Sequence, residues 1–324
     1  MTVFIHIGLN KTGSSSIQKF CHENSALLKA QGVVYPNEGI HDSAHYGISK
    51  MLMGKPVDDS VAGTKGLEKT ILSAVDNGKD VLLSSEYFFL ANDQQVAQIK
   101  EYFSEFGTDM KVIIYLRRHD LWIASLFNQV AKTTLGKHPW QMDIRDYFIY
   151  LLGLNDMQIW YPKILDRWAA HFGVENIIVR PFEVGQFRYG DLLWDFLGSI
   201  RDELPGILQQ KGLQPTRTNE SIPDELARVI SHVRDSSLDL KAKNDVTALI
   251  LKSEMDAEWT VKHRQSWDNR AFELSLVSRR SIVKFFADDY AYIANKYLKS
   301  EDGILFRDAV NEGVKAKKNG QLRR

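Results

Sequence analysis

The sequence predicts an α/β fold, a three-layer sandwich on a central parallel sheet with a helical C-terminal region. Three observations carry this. Short apolar, β-branched runs recur at residues 2–8, 81–85, 111–116 and 176–180, each about the length of a buried strand. Between them lie longer segments with apolar residues at helical spacing, and such alternation implies parallel strands joined by right-handed crossovers. Beyond residue 200 the strand signals stop. With 324 residues, 44% of them hydrophobic, the chain can bury a full core. The expected division is an α/β core over 1–200 and a helical extension over 201–324, packed as one continuous domain.

The elements follow in order. Val3-Phe4-Ile5-His6-Ile7 is the first strand, and residues 14–31 read as a helix after a glycine-bracketed turn. Short helices are expected near 43–53 and 62–77. Asp80-Val81-Leu82-Leu83-Ser84-Ser85-Glu86 is a strand ending in two hydroxyls and a carboxylate, followed by a helix over 93–105. Lys111-Val112-Ile113-Ile114-Tyr115-Leu116 is a strand closed by Arg117 and Arg118, and Asp120 is the expected N-cap of a helix over 120–133. Ile164, Leu165, Trp168 and Phe172 recur at three and four, marking an amphipathic helix over 161–172. A strand at 176–180 precedes a helix over 190–199, which packs on the sheet through Leu192, Leu193, Phe196 and Leu197. Residues 222–256 and 269–298 read as long amphipathic helices, the latter carrying Phe285, Phe286, Tyr290, Ile293 and Tyr297. A basic tail runs from Lys315 to Arg324.

Chemistry concentrates after the first strand. Gly8 and Gly13 have the spacing of the phosphate loop G-x-x-x-x-G-K-[ST], yet Ser14 follows Gly13 and the lysine, Lys11, comes before it. A lysine after the second glycine reaches β- and γ-phosphates while its hydroxyl neighbour holds Mg²⁺. A lysine placed earlier and followed by hydroxyls suits a shorter anion without a metal clamp. The alternative is a helix capped by Ser or Thr after a surface turn. Arg117, with Ser125 eight residues on, offers a planar fork and a neutral donor for a phosphate. All these segments follow strands, and in open parallel sheets the ligand crevice lies beyond the strands' carboxyl ends. Glu86 stands there as a candidate base or as a structural partner of Arg117 or Arg118.

Together the Lys11–Ser16 turn, the strand–Arg117–Ser125 segment and Ser84-Ser85-Glu86 resemble the sulfotransferases that use 3′-phosphoadenosine 5′-phosphosulfate (PAPS). The likeness is to their bacterial members, whose fold is of the P-loop NTPase type, and it covers roughly residues 2–200. The resemblance implies that Lys11, Thr12, Gly13, Ser14, Ser15 and Ser16 form a phosphosulfate loop. It implies that Arg117 and Ser125 hold the 3′-phosphate. It also implies that Glu86, or else His45, takes the acceptor's proton, and that Arg217 in Pro215-Thr216-Arg217-Thr218-Asn219 folds back toward the phosphates. PAPS would be the donor co-substrate, with no metal. The stretch 133–158 looks like an acceptor-side lid, where Trp140, Tyr147 and Tyr150 are placed to stack on a sugar; a small-molecule or saccharide acceptor is expected.

Composition bounds the partners. The formal net charge is zero, which gives no electrostatic case for nucleic acid. The single cysteine, Cys21, excludes an intrachain disulfide framework and fits a reducing compartment. The chain opens straight into its first strand without a basic-then-apolar leader, and no apolar run reaches membrane-span length, so the expectation is cytoplasmic. Two rivals remain in view. A P-loop kinase or nucleotide hydrolase needs the lysine that Ser14 replaces. A non-catalytic relative would bind nucleotide or glycan without turning it over.

Overall fold

The structure, a computed structural model, describes residues 1–57, 66–132, 143–153, 157–213, 230, 233, 237–252 and 274–311. Along the chain come β1 (Thr2–His6), α1 (Ser14–Glu23), α2 (Ser25–Ala30), β2 (Val33–Val34), α3 (Tyr46–Leu52), α4 (Leu67–Asp76) and β3 (Asp80–Ser84). Then follow α5 (Asp93–Ser104), β4 (Asp109–Leu116), α6 (His119–Lys132), α7 (Ile144–Gly153), α8 (Tyr161–Phe172) and β5 (Ile177–Pro181). The last are α9 (Leu192–Ile200), α10 (Leu204–Gln210), α11 (Leu240–Lys252), α12 (Leu276–Phe285) and α13 (Ala287–Ile293). The described chain forms two compact units interleaved along the sequence. The first is Met1–Arg118, Leu152–Glu220 and Asp288–Arg307; the second is His119–Leu151, Ser221–Ala287 and Asp308–Arg324.

The first unit holds a five-stranded sheet in the order β2-β3-β1-β4-β5, every neighbouring pair parallel. Parallel sheets are covered on both faces, so their central strands read as unbroken apolar runs. Val3, Phe4 and Ile5 of β1 and Val112 to Leu116 of β4 are accordingly all buried. Phe4, Leu82, Ile113 and Tyr115 turn to one face and pack with Ile17, Phe20 and Cys21 of α1 and Leu193, Phe196 and Leu197 of α9. Strand alternation sends Val3, Ile5, Leu83 and Ile114 to the other face. Helix α8 lies against β4, β5 and α5. The chain crosses β1 on its way from β3 to β4, so the reversal of strand order falls at β1. Ligands in open α/β sheets bind at such a point.

Buried charge also ties the first unit together. Arg180 of β5 donates to Asp195 of α9 through Nε (3.0 Å) and Nη2 (2.5 Å), and the Tyr115 hydroxyl donates to the same carboxylate (2.5 Å). At the sheet's amino end, Arg201 donates to Asp80 Oδ2 (2.9 Å) and to the carbonyls of Gln31 and Gly32 (3.2 Å each).

Several local expectations change. The helix read over 14–31 breaks at Asn24, whose backbone N–H (3.0 Å) and side-chain amide (2.9 Å) both donate to the Phe20 carbonyl. Short amides compete with the helical ladder in this way. Strand β2 is two residues long, too short for a periodicity signal. The stretch 133–158 includes helix α7, and Trp140 lies outside the described residues. The helix read over 269–298 is broken at Phe286 between α12 and α13, and much of 222–256 lies outside the described residues.

The second unit holds α6, α7 as far as Leu151, α11 and α12. Asp120 is not the N-cap of α6, which begins at His119; its buried carboxylate instead accepts from Arg279 Nε at 2.8 Å. The His119 ring stacks on Phe286 with centroids 3.7 Å apart. No helix among the described residues is long and apolar enough to cross a membrane.

Candidate functional site

The turn after β1 is built from backbone geometry that side chains rarely adopt. Pairing with β4 continues past the strand: Ile7 N–H donates to Ile113 O (3.0 Å), and Tyr115 N–H donates to Gly8 O (3.1 Å). The chain then takes positive φ at Gly8 (101°), Lys11 (65°) and Gly13 (78°). Such a conformation costs a non-glycine residue on the order of 1 kcal/mol, and it marks Lys11 as held by its surroundings. At Gly13 the positive φ is what calls for glycine, and the end of the Leu192 side chain fills the space beside it. A Cβ there would stand 2.2 Å from Leu192 Cδ2 and 3.4 Å from Phe182 Cε2.

The hydroxyls divide into two groups. Thr12 Oγ1 (2.5 Å) and Ser14 Oγ (2.8 Å) both donate to the Leu9 carbonyl, so they brace the turn from inside. Ser15 is exposed and Ser16 half-buried. Helix α1 is not capped by a hydroxyl: Gly13 is its N-cap, without a side-chain cap bond. Gly13 O accepts from Ser16 N–H (3.0 Å) and Ile17 N–H (3.1 Å). The preceding N–H groups, those of Ser14 and Ser15, therefore project from the positive end of the helix dipole. That is the chemistry of an anion site.

Two strand ends flank the turn, because β3 and β4 are the neighbours of β1. From β3 comes Glu86, whose Cγ and Cα lie 3.3 and 3.4 Å from where a Gly8 side chain would begin. Gly8 thus lets the carboxylate approach the turn. Burial raises the Glu86 pKa above the ordinary carboxylate range, opposed by the Ser14 hydroxyl, Gln18 and the charge of Lys11. Gln18, four residues after Ser14 and so on the same face of α1, is buried with its amide toward Glu86. From β4 comes Arg117, whose Nη1 donates to the Lys11 carbonyl (2.9 Å) and whose guanidinium carbon sits 5.4 Å from the Phe182 ring centre. The Tyr161 hydroxyl donates to the Arg117 carbonyl at 2.8 Å.

No family model matches the chain. Over 131 residues it is 28% identical to an uncharacterised protein of Archaeoglobus fulgidus, a stretch that spans 40% of this chain and 33% of the relative. The chain thus spans about a third of the length of the curated relative it matches, and that likeness carries no chemistry with it.

The other expected residues fall in different places. His45 is fully buried. Its Nδ1 accepts from Ser84 N–H (3.0 Å), and its Nε2 donates to Pro36 O (2.8 Å). Burial lowers its pKa to about 4, so the ring is neutral and both nitrogens are committed to backbone. Ser125 is half-buried on α6, in the second unit. Arg217 lies outside the described residues. Sequence reasoning passed over Gln18, although its spacing from Ser14 was the available signal. It also passed over His6, buried at the end of β1 with Nδ1 2.7 Å from Ser84 Oγ. A lone imidazole in an apolar strand was the visible sign there.

Proposed function

We propose that this protein is a PAPS-dependent sulfotransferase that moves a sulfuryl group to a hydroxyl or amine of an acceptor. The observation that carries the reading is the flanking of one turn by two strand ends. Lys11 and the α1 amides stand at the end of central β1, Glu86 stands beside them from β3, and Arg117 reaches the turn from β4. The resemblance of these segments to the family supplies the identity of the anion; geometry supports the division of labour.

In this reading the 5′-phosphosulfate rests on the amides of the turn and of Ser14 and Ser15, with Lys11 beside it. Thr12 and Ser14 shape the turn more than they touch the ligand, since both hydroxyls are turned onto Leu9, while Ser15 and Ser16 are assigned to the ligand side. Arg117 is assigned to the 3′-phosphate side, and the parts of Ser125 and Arg217 rest on the resemblance alone. The acceptor oxygen or nitrogen attacks sulfur, the bond from sulfur to the phosphate oxygen breaks, and Glu86 takes the acceptor's proton. Lys11 neutralises the charge that develops on the departing phosphate oxygen, the kind of electrostatic stabilisation that dominates many transfers. Glu86 suits the base better than His45 because the imidazole nitrogens are both occupied.

Transfer from labelled PAPS across an acceptor panel tests the reading. Lys11→Ala is expected to lower turnover by about 10²–10³-fold, the loss typical of removing one charge-stabilising group. Unchanged turnover in Lys11→Ala contradicts the mechanism.

A further inference from the structure

We infer that the acceptor side of this site binds an oxyanion, through Lys50, Lys55 and Tyr87, so that the favoured acceptors carry their own negative charge. The inference rests on the proposed function for the word acceptor; the oxyanion site itself rests on the following geometry. Helix α3 is fastened to the end of β3 beside Glu86. His45 N–H donates to Ser84 O (2.8 Å), and Ser49 Oγ lies 3.0 Å from Ser85 Oγ in a buried contact. Ser85 Oγ also accepts from Tyr87 N–H at 3.2 Å. This joint brings Tyr46 of α3 against Tyr87, the residue after Glu86, with ring centres 4.2 Å apart.

Two lysines converge on that pair. Lys50 Nζ is 4.8 Å from the Tyr46 ring centre and 5.9 Å from that of Tyr87, while Lys55 Nζ is 5.8 Å from Tyr87. Among the described residues no carboxylate lies within ion-pair distance of either ammonium. Both ammoniums border the Tyr87 ring, so an anion seated at its edge meets two positive charges. The tyrosines add a directed donor. Tyr46 OH donates to Tyr87 OH at 2.5 Å, which leaves the Tyr87 proton to donate onward, and accepting one hydrogen bond strengthens the next. Burial and that contact hold the Tyr46 proton, with its pKa pushed up to about 12. Topology sets the side: β3 and β4 lie on opposite sides of β1, so this cluster adjoins Glu86 and sits across the turn from Arg117.

Calorimetry on the whole chain, with and without 3′-phosphoadenosine 5′-phosphate, tests the site with two matched pairs of probes. One is trigalacturonate against its methyl ester, the other glucose 6-phosphate against glucose. We expect at least one anion to bind more tightly than its neutral match, with the better pair showing whether carboxylate or phosphate is preferred. We expect Lys50→Glu/Lys55→Glu to weaken that binding by 10-fold or more; Lys50→Gln/Lys55→Gln serves if the double glutamate variant fails to fold. No preference for either anion, or an unchanged affinity in the double variant, overturns the site. A response to 3′-phosphoadenosine 5′-phosphate without anion preference overturns this inference alone. Anion preference without a nucleotide response contradicts the donor reading and leaves the oxyanion site standing.

Discussion

Glu86 and His45 occupy opposite situations although they are joined to the same strand end. The carboxylate of Glu86 faces the turn, and burial raises its pKa while Lys11 and Ser14 oppose the rise. The His45 ring is neutral and spends both nitrogens on backbone. Glu86→Gln is therefore expected to cost about 10²–10⁴ in kcat, the usual worth of a positioned base. In the wild type, kcat/KM should fall with acidification through a pKa above that of an ordinary glutamate, because the base must be ionised. His45→Ala should lower the midpoint of thermal unfolding and spare kcat in the folded fraction. A pH–rate profile of each variant checks both; retained activity in Glu86→Gln removes it as the base. The candidate residues were legible because strand ends bearing charge stand out in one dimension. That His45 is a staple was not legible, since its partners, Pro36 O and Ser84 N–H, are backbone groups brought together only by the fold.

At the scale of the element, the turn depends on a contact that no local pattern announces. Gly13 holds a φ of 78° at the head of α1, and Leu192, at the start of α9, packs its side-chain end into the space where a Cβ would begin. Gly13→Ala is strained by a φ of 78° and displaces the end of Leu192, and it should destabilise the protein by about 1–3 kcal/mol while weakening anion binding at the turn. Denaturant titration with and without 3′-phosphoadenosine 5′-phosphate separates the two effects; wild-type stability would contradict the packing described. The four long strands and their intervening helices were readable from apolar runs and helical spacing. The break at Asn24 was not, because side-chain competition for Phe20 O is weaker than the surrounding helical pattern. Nor was α7, whose aromatic residues read equally well as a binding surface. The residues Arg117 and Glu86 were individually visible, but their common bearing on the turn comes from the β3-β1-β4 order, which adjacency in sequence does not state.

At the scale of the whole molecule, two buried imidazoles connect the sheet's carboxyl ends to pH. Burial lowers the pKa of His6 to about 3 and of His45 to about 4, below the ordinary 6.5. The unfolded chain therefore binds protons that the folded chain refuses as pH falls below 6.5. Stability should decline from there down toward pH 4, each ring contributing at most about 1.4 kcal/mol per pH unit. Urea midpoints across that range check the sign, and a flat profile that persists after correction for the carboxylates would contradict it. The central claim is that a lysine before Gly13, rather than after it, fits the turn to a phosphosulfate. The most direct measurement compares thermal unfolding with 3′-phosphoadenosine 5′-phosphate against ATP plus Mg²⁺. A ligand at 100 times its Kd adds about 2.7 kcal/mol, well within detection. Stabilisation by 3′-phosphoadenosine 5′-phosphate and not by ATP plus Mg²⁺ is the predicted result; stabilisation by ATP plus Mg²⁺ alone would contradict it.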